Sequence, residues 1–148
     1  MIFFVAAKIN EIFKKGIHYP WIAPQNCPNC SHYKVWGHGF RMAYFDGFIY
    51  PLFLKRYRCP SCKCVLCCRP RDYFKGFQAR IETIRSSISH RINTGKWMSG
   101  FSRSRQWQWF SALKKQAAAF MGNLRETALL NFFDSFVYQS KNPVTRRI

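Results

Sequence analysis

Two tetrapeptides, Cys27-Pro28-Asn29-Cys30 and Cys59-Pro60-Ser61-Cys62, restrict this chain more than any other feature. Each offers two thiols from one short loop, and the shared Cys-Pro-x-Cys pattern makes them copies of a single turn. Seven cysteines stand at 27, 30, 59, 62, 64, 67 and 68, an odd number that suits a disulfide framework poorly in a chain without an export signal. A redox dithiol needs only one pair and a thioredoxin-like surround, which is missing. Metal binding accounts for the spacing better. Four thiolates at about 2.3 Å satisfy tetrahedral Zn²⁺, and two such knuckles brought together by a hairpin close a structural site. The expected ligands are Cys27, Cys30, Cys59 and Cys62, holding one structural Zn²⁺. Cys64 and Cys67 form a third pair at the same spacing and stay open as substitutes for Cys59 and Cys62. Their other role, shared with Cys68, is as small buried side chains. His32 and His38 are further ligand candidates, or hydrogen-bonding and stacking residues.

The hairpin between the knuckles must be long, because 28 residues, 31–58, separate them. Asp46-Gly47 lies between two aromatic-rich apolar runs, 35–45 and 48–57, and Asp-Gly suits a type I′ turn. Pro51 has no N–H for a sheet ladder and is expected at an edge or bulge. Ahead of the ribbon, Val5, Ile9, Ile12 and Phe13 recur at helical intervals across 4–15, with Gly16 as a stop. An extended linker, 21–24, then enters the first knuckle.

After Pro70 the apolar period lengthens. Ile81, Ile84, Ile88 and Ile92 make one stripe, predicting a helix over 77–93 closed by Gly95. Residues 96–101 form a short connection, and Ser102 is placed to cap a second helix whose apolar face runs Trp109, Phe110, Leu113, Ala117, Phe120, Met121 and Leu124. A third apolar segment, 127–138, reads as a core helix or as a docking helix for a partner. The tail, 141–148, with Arg146 and Arg147, reads as frayed.

The charge balance selects among functions. Lys and Arg number 24 against 6 Asp and Glu, a formal net charge of +18. Such a surplus repels itself in a compact body, so a polyanionic partner is the economical explanation. The six acids are scattered singly, leaving little material for a carboxylate metal centre or an acid/base pair, and no catalytic residue is assigned. No apolar run approaches the roughly 20 residues that span a bilayer, so no membrane partner and a cytoplasmic location are expected. Two helices joined by a glycine-containing turn, the second opening Ser102-Arg103-Ser104-Arg105-Gln106, match a helix-turn-helix as well as an ordinary helical hairpin with a basic face. In the first reading Arg103, Arg105, Gln106 and Gln108 contact base edges and Lys114 and Lys115 contact phosphates. On the ribbon, Lys55, Arg56 and Arg58, with Lys34 and Arg41 on the partnering strand, form a strip suited to gripping backbone.

Taken in order, Pro20-Trp21, Pro24, the first knuckle, Trp36-Gly37-His38-Gly39-Phe40, Arg56-Tyr57-Arg58 with the second knuckle, Arg69-Pro70, and Ser102 to Gln106 with Trp109 resemble the zinc-ribbon plus helix-turn-helix modules of bacterial insertion-sequence transposases and related short proteins. The resemblance covers roughly residues 19–116. It implies zinc on the four cysteines and DNA on the helices that follow. Ser31 and Lys63 stand where such ribbons often carry Gly, and no catalytic transposase domain accompanies them. The expected architecture is α+β: an N-terminal amphipathic helix and linker (1–24), a small zinc ribbon (25–72), a helix-turn-helix-like helical region (73–138) and a basic tail (139–148). The expected partners are double-stranded DNA and a recombinase encoded nearby. The competing functions are an adaptor docking a recombinase or polymerase, and an RNA or single-strand binder.

Overall fold

The computed structural model describes residues 1–145, which form two compact units, Met1–Arg80 and a second beginning at Ile81. The first unit is a four-stranded sheet with one helix. Its strands are β1 (Ile2–Val5), β2 (Trp36–Ala43), β3 (Leu52–Arg58) and β4 (Val65–Pro70), in the order β1-β4-β3-β2, with helix α1 (Ile9–Lys15) between β1 and β2 in sequence. β2 and β3 pair antiparallel from Trp36 opposite Arg58 to Ala43 opposite Leu52, with a bulge between Gly37 and Phe40. β3 and β4 are antiparallel, and β1 lies parallel to β4.

Several expectations change here. The predicted helix over 4–15 starts only at Ile9, because Ile2–Val5 form a strand. Its β-favouring side chains and free backbone complete the edge of β4, where the Cys67 N–H donates to the Met1 carbonyl at 2.9 Å and the Arg71 N–H to that of Val5 at 2.9 Å. The N-terminal segment therefore belongs with the ribbon. The chain does turn at Asp46-Gly47, the Phe48 N–H donating to the Phe45 carbonyl at 3.4 Å, but not as the expected type I′ hairpin: Gly47 alone has a positive φ, 84°, and the strands end at Ala43 and resume only at Leu52. Phe45 leaves the ladder to pack edge-on against Tyr73, ring centroids 4.7 Å apart, and the Asp46 N–H donates to the Gln78 carbonyl at 3.0 Å. Strand β4 was not foreseen. It lies between β1 and β3, nearly all of it is buried, and Cys67 and Cys68 are core side chains on its opposite faces. One sheet face packs Leu52, Leu54 and Cys67 with Ile9, Ile12, Phe45 and Tyr73; the other packs Tyr57, Leu66 and Cys68 with Phe3 and Val5.

The second unit has three helices, α2 (Ile81–Thr94), α3 (Arg103–Met121) and α4 (Leu129–Tyr138). α2 starts four residues later than 77 because the preceding segment is held irregular: the Arg69 guanidinium donates to the Phe74 carbonyl at 3.1 Å and to that of Phe77. A helix begun at Phe77 would need that second carbonyl for its own first turn. Ser102 caps α3 as expected, its hydroxyl accepting from the Arg105 N–H at 3.3 Å. Ile84 and Ile88 of α2, Trp109, Leu113 and Ala117 of α3, and Leu129, Phe132, Phe133 and Phe136 of α4 are buried, which gives the 127–138 segment to the core. Phe120 and Met121, expected on the apolar face of α3, are exposed near its end. An Arg85–Asp134 pair, both bonds 2.7 Å, ties α2 to α4. The tail is not frayed as far as Thr145: the Lys141 N–H donates to the Phe136 carbonyl at 2.8 Å, and Val144 is buried. Arg146 and Arg147 lie outside the described residues.

Candidate metal centre and basic surfaces

The two knuckles adopt the same backbone. In the first, the Ser31 N–H donates to the Cys27 carbonyl at 2.8 Å and the Cys27 N–H to the His32 carbonyl at 2.8 Å. In the second, the Lys63 N–H donates to the Cys59 carbonyl at 3.1 Å and the Cys59 N–H to the Cys64 carbonyl at 3.0 Å. Closing each loop places the residue after the second cysteine in the left-handed region, Ser31 at φ 60° and Lys63 at φ 61°. These are the two positions where glycine would relax the turn. The antiparallel register of β2 on β3, with Trp36 opposite Arg58, then brings both loops to one end of the hairpin.

The result is a group of four sulfurs, Cys27, Cys30, Cys59 and Cys62, all within 4.8 Å of one another. The Sγ atoms of Cys27 and Cys62 are 3.7 Å apart, those of Cys30 and Cys59 3.5 Å. A tetrahedron with bonds of about 2.3 Å has edges of about 3.8 Å, so the spacing fits one metal ion, whereas a disulfide would need about 2.05 Å. The Asn29 side chain and the Cys64 N–H both hydrogen-bond the Cys62 sulfur and lower its pKa to about 6, while burial raises that of Cys59 to about 11. Of the pairs left open by sequence, this geometry brings Cys59 and Cys62 beside Cys27 and Cys30. Cys64 serves the second knuckle through its backbone, and its thiol and that of Cys67 stand outside the four-sulfur group. His32 likewise contributes its carbonyl, with its ring 4.6 Å from that of Tyr33. Asn29 went unnoticed in the sequence, although its place between two ligands is the signal that would have found it.

The basic residues are distributed less simply. Arg41 pairs with Leu54, so it shares a sheet face with Arg56 and Arg58, while Lys55 lies on the opposite face against Phe40, its Nζ 4.6 Å from the ring centroid. The single ribbon strip is thus corrected to two faces by the two-residue period of β3. Arg41 and Arg58 are exposed; Lys55 and Arg56 are half-buried. On α3, Arg103, Gln108, Lys114 and Lys115 are exposed, and the half-buried Arg105 stacks over Trp109 with Cζ 5.1 Å from the ring centroid. Lys114 also pairs with Glu126 at 3.5 Å.

Gln106 is the clear correction. It is fully buried, so it cannot reach a base edge. Its Oε1 accepts from the Ser87 hydroxyl at 2.7 Å and the Met98 N–H at 3.0 Å, while its Nε2 donates to the carbonyls of Met98 at 2.8 Å and Phe101 at 3.1 Å. One amide thereby joins α2, the connection and α3.

No helix among the described residues is long and apolar enough to cross a membrane. No protein-family model, curated protein or solved structure matches this chain.

Proposed function

We propose that this chain is a zinc-stabilised protein that binds double-stranded DNA, related to the accessory or remnant proteins of bacterial insertion sequences and carrying no catalytic centre of its own. The observation that supports it most is the uncompensated charge. Of only six acids, Glu11, Glu126 and Asp134 are already paired with Lys8, Lys114 and Arg85, which leaves a large excess of cations. Zn²⁺ is the ion that a four-thiolate, closed tetrahedral set favours. Arg41 and Arg58 on the strands, and Arg103, Arg105, Gln108 and Lys115 on α3, support the reading as the side chains that would meet the nucleic acid. Two arginines at a helix start are opposed by its dipole, and a phosphate backbone nearby reverses that sign.

The test is fluorescence anisotropy on a labelled duplex across a salt series. If about 6 phosphates are neutralised, the slope of log K on log salt is about −5, and affinity falls about a thousandfold between 50 and 200 mM salt. No duplex binding at low salt refutes the reading. Tyr33, Trp36, Tyr44 and Tyr50 are exposed in the hairpin unit, which favours base stacking and a single-strand preference as the second reading. Competition between duplex and single strand separates the two.

A further inference from the structure

The sheet face that packs Leu54 and Cys67 also bears a cleft of about 330 Å³ that lies apart from the metal centre. Arg41, Arg69 and Lys75 line it, with Tyr44, Phe77 and Cys67, and none of its lining residues is acidic. Arg69 is 7% exposed and yet pairs with no carboxylate among the described residues. Its Nε donates to the Phe74 carbonyl at 3.1 Å, one Nη donates to that of Phe77, and its Cζ sits 4.9 Å from the Phe45 ring centroid. All three partners are neutral. Burial, and more weakly Arg41, lower the pKa of Arg69. Arg56, across the β3–β4 ladder from Cys67, has a buried Nε without a hydrogen-bond partner.

A buried cation without a counter-charge is expensive, and guanidinium groups in a concave site are the residues that recognise phosphate. The cleft is too large for a bare phosphate. Its volume lies at the lower end of the range for small-molecule sites, about 300–1,000 Å³, and its walls include two aromatic rings against which a base can pack. We propose that this cleft binds the phosphate of a nucleotide, with Arg41, Arg69 and Lys75 around the phosphate and Tyr44 and Phe77 beside the base. The nucleotide comes either from a phosphorylated strand end or from the free pool, and the first source alone rests on the nucleic-acid reading above.

The test is isothermal titration of the metal-loaded full chain with adenosine monophosphate, with inorganic phosphate, and with short strands bearing a 5′-phosphate or a 5′-hydroxyl. Adenosine monophosphate is expected to bind at least tenfold more tightly than inorganic phosphate. Lys75→Ala and Arg41→Ala should each weaken it about tenfold, with melting curves unchanged. A strand preference for the 5′-phosphate that is lost in Lys75→Ala names the strand end as the source; equal binding of both strands beside tight nucleotide binding names the free nucleotide. Nucleotide binding in a chain that ignores duplex DNA sinks the proposed function and leaves the cleft standing. The cleft proposal is overturned if neither nucleotide nor 5′-phosphate binds, or if both substitutions leave binding unchanged.

Discussion

Replacing Gln106 with Leu keeps the size of the side chain and removes its amide from a fully buried position. Four hydrogen bonds disappear, to the Ser87 hydroxyl, the Met98 N–H and the carbonyls of Met98 and Phe101. At about 1 kcal/mol net for each, the loss is about 4 kcal/mol. The added apolar burial returns about 1–2 kcal/mol, leaving a net destabilisation of about 2–3 kcal/mol. For a unit of this size that lowers Tm by about 10–20 °C, followed by circular dichroism at the helical band. Gln108→Ala, at an exposed position of the same helix, should stay within about 0.5 kcal/mol of the parent. Ser87→Ala in the Gln106→Leu background should cost much less than in the parent, because its partner is already gone. The reasoning is refuted if Gln106→Leu melts with the parent while losing DNA affinity, the pattern of a residue that reads bases.

Three other outcomes follow from local physics. Ser31→Gly should stabilise the metal-loaded ribbon by up to about 1 kcal/mol, measured by denaturant titration, because a left-handed φ of 60° costs a β-carbon-bearing residue about 1–2 kcal/mol and glycine loses part of that gain in unfolded-chain entropy. Ser102→Ala should cost about 1 kcal/mol in the melting of the helical unit, since its hydroxyl caps α3. Arg85 holds the Asp134 carboxyl below its ordinary pKa, so the stability from that pair is present above the unfolded carboxylate value and disappears as pH falls through the folded one. Both side chains are more than two-fifths exposed, so solvent screening limits the effect to about 1 kcal/mol or less. Asp134→Asn should therefore fall slightly below the parent at pH 6 in urea unfolding, and the gap should shrink as pH drops below the ordinary carboxylate range.

The four-sulfur group was legible because its signal is local: two thiols in one tight turn advertise themselves regardless of the surrounding fold. Caps were legible for the same reason, as Ser102 shows. The strands β1 and β4 were not, since β4 is buried on both faces and lacks the alternation that marks a half-exposed strand. Gln106 was misplaced because residue type was weighed above position. It lies three, seven and eleven residues before Trp109, Leu113 and Ala117, on the buried stripe of α3, and that spacing held the information. Arg69 was hidden likewise, as a cation at the end of the apolar run Val65–Pro70 whose carbonyl partners lie several residues onward. Asp46-Gly47 does turn the chain, but within a longer loop in place of a type I′ hairpin, because Phe45 leaves the ladder to pack on Tyr73.

Native mass spectrometry of the full chain purified without added metal, compared across single Cys→Ser variants, tests the centre of this account most directly. One zinc ion per chain is expected in the parent, retained by Cys64→Ser, Cys67→Ser and Cys68→Ser and lost in Cys27→Ser and Cys59→Ser, with loss of the ribbon's structure because folding and metal binding are coupled. Zinc retained in Cys27→Ser but lost in Cys64→Ser, or a parent chain that neither carries nor takes up zinc, would contradict it.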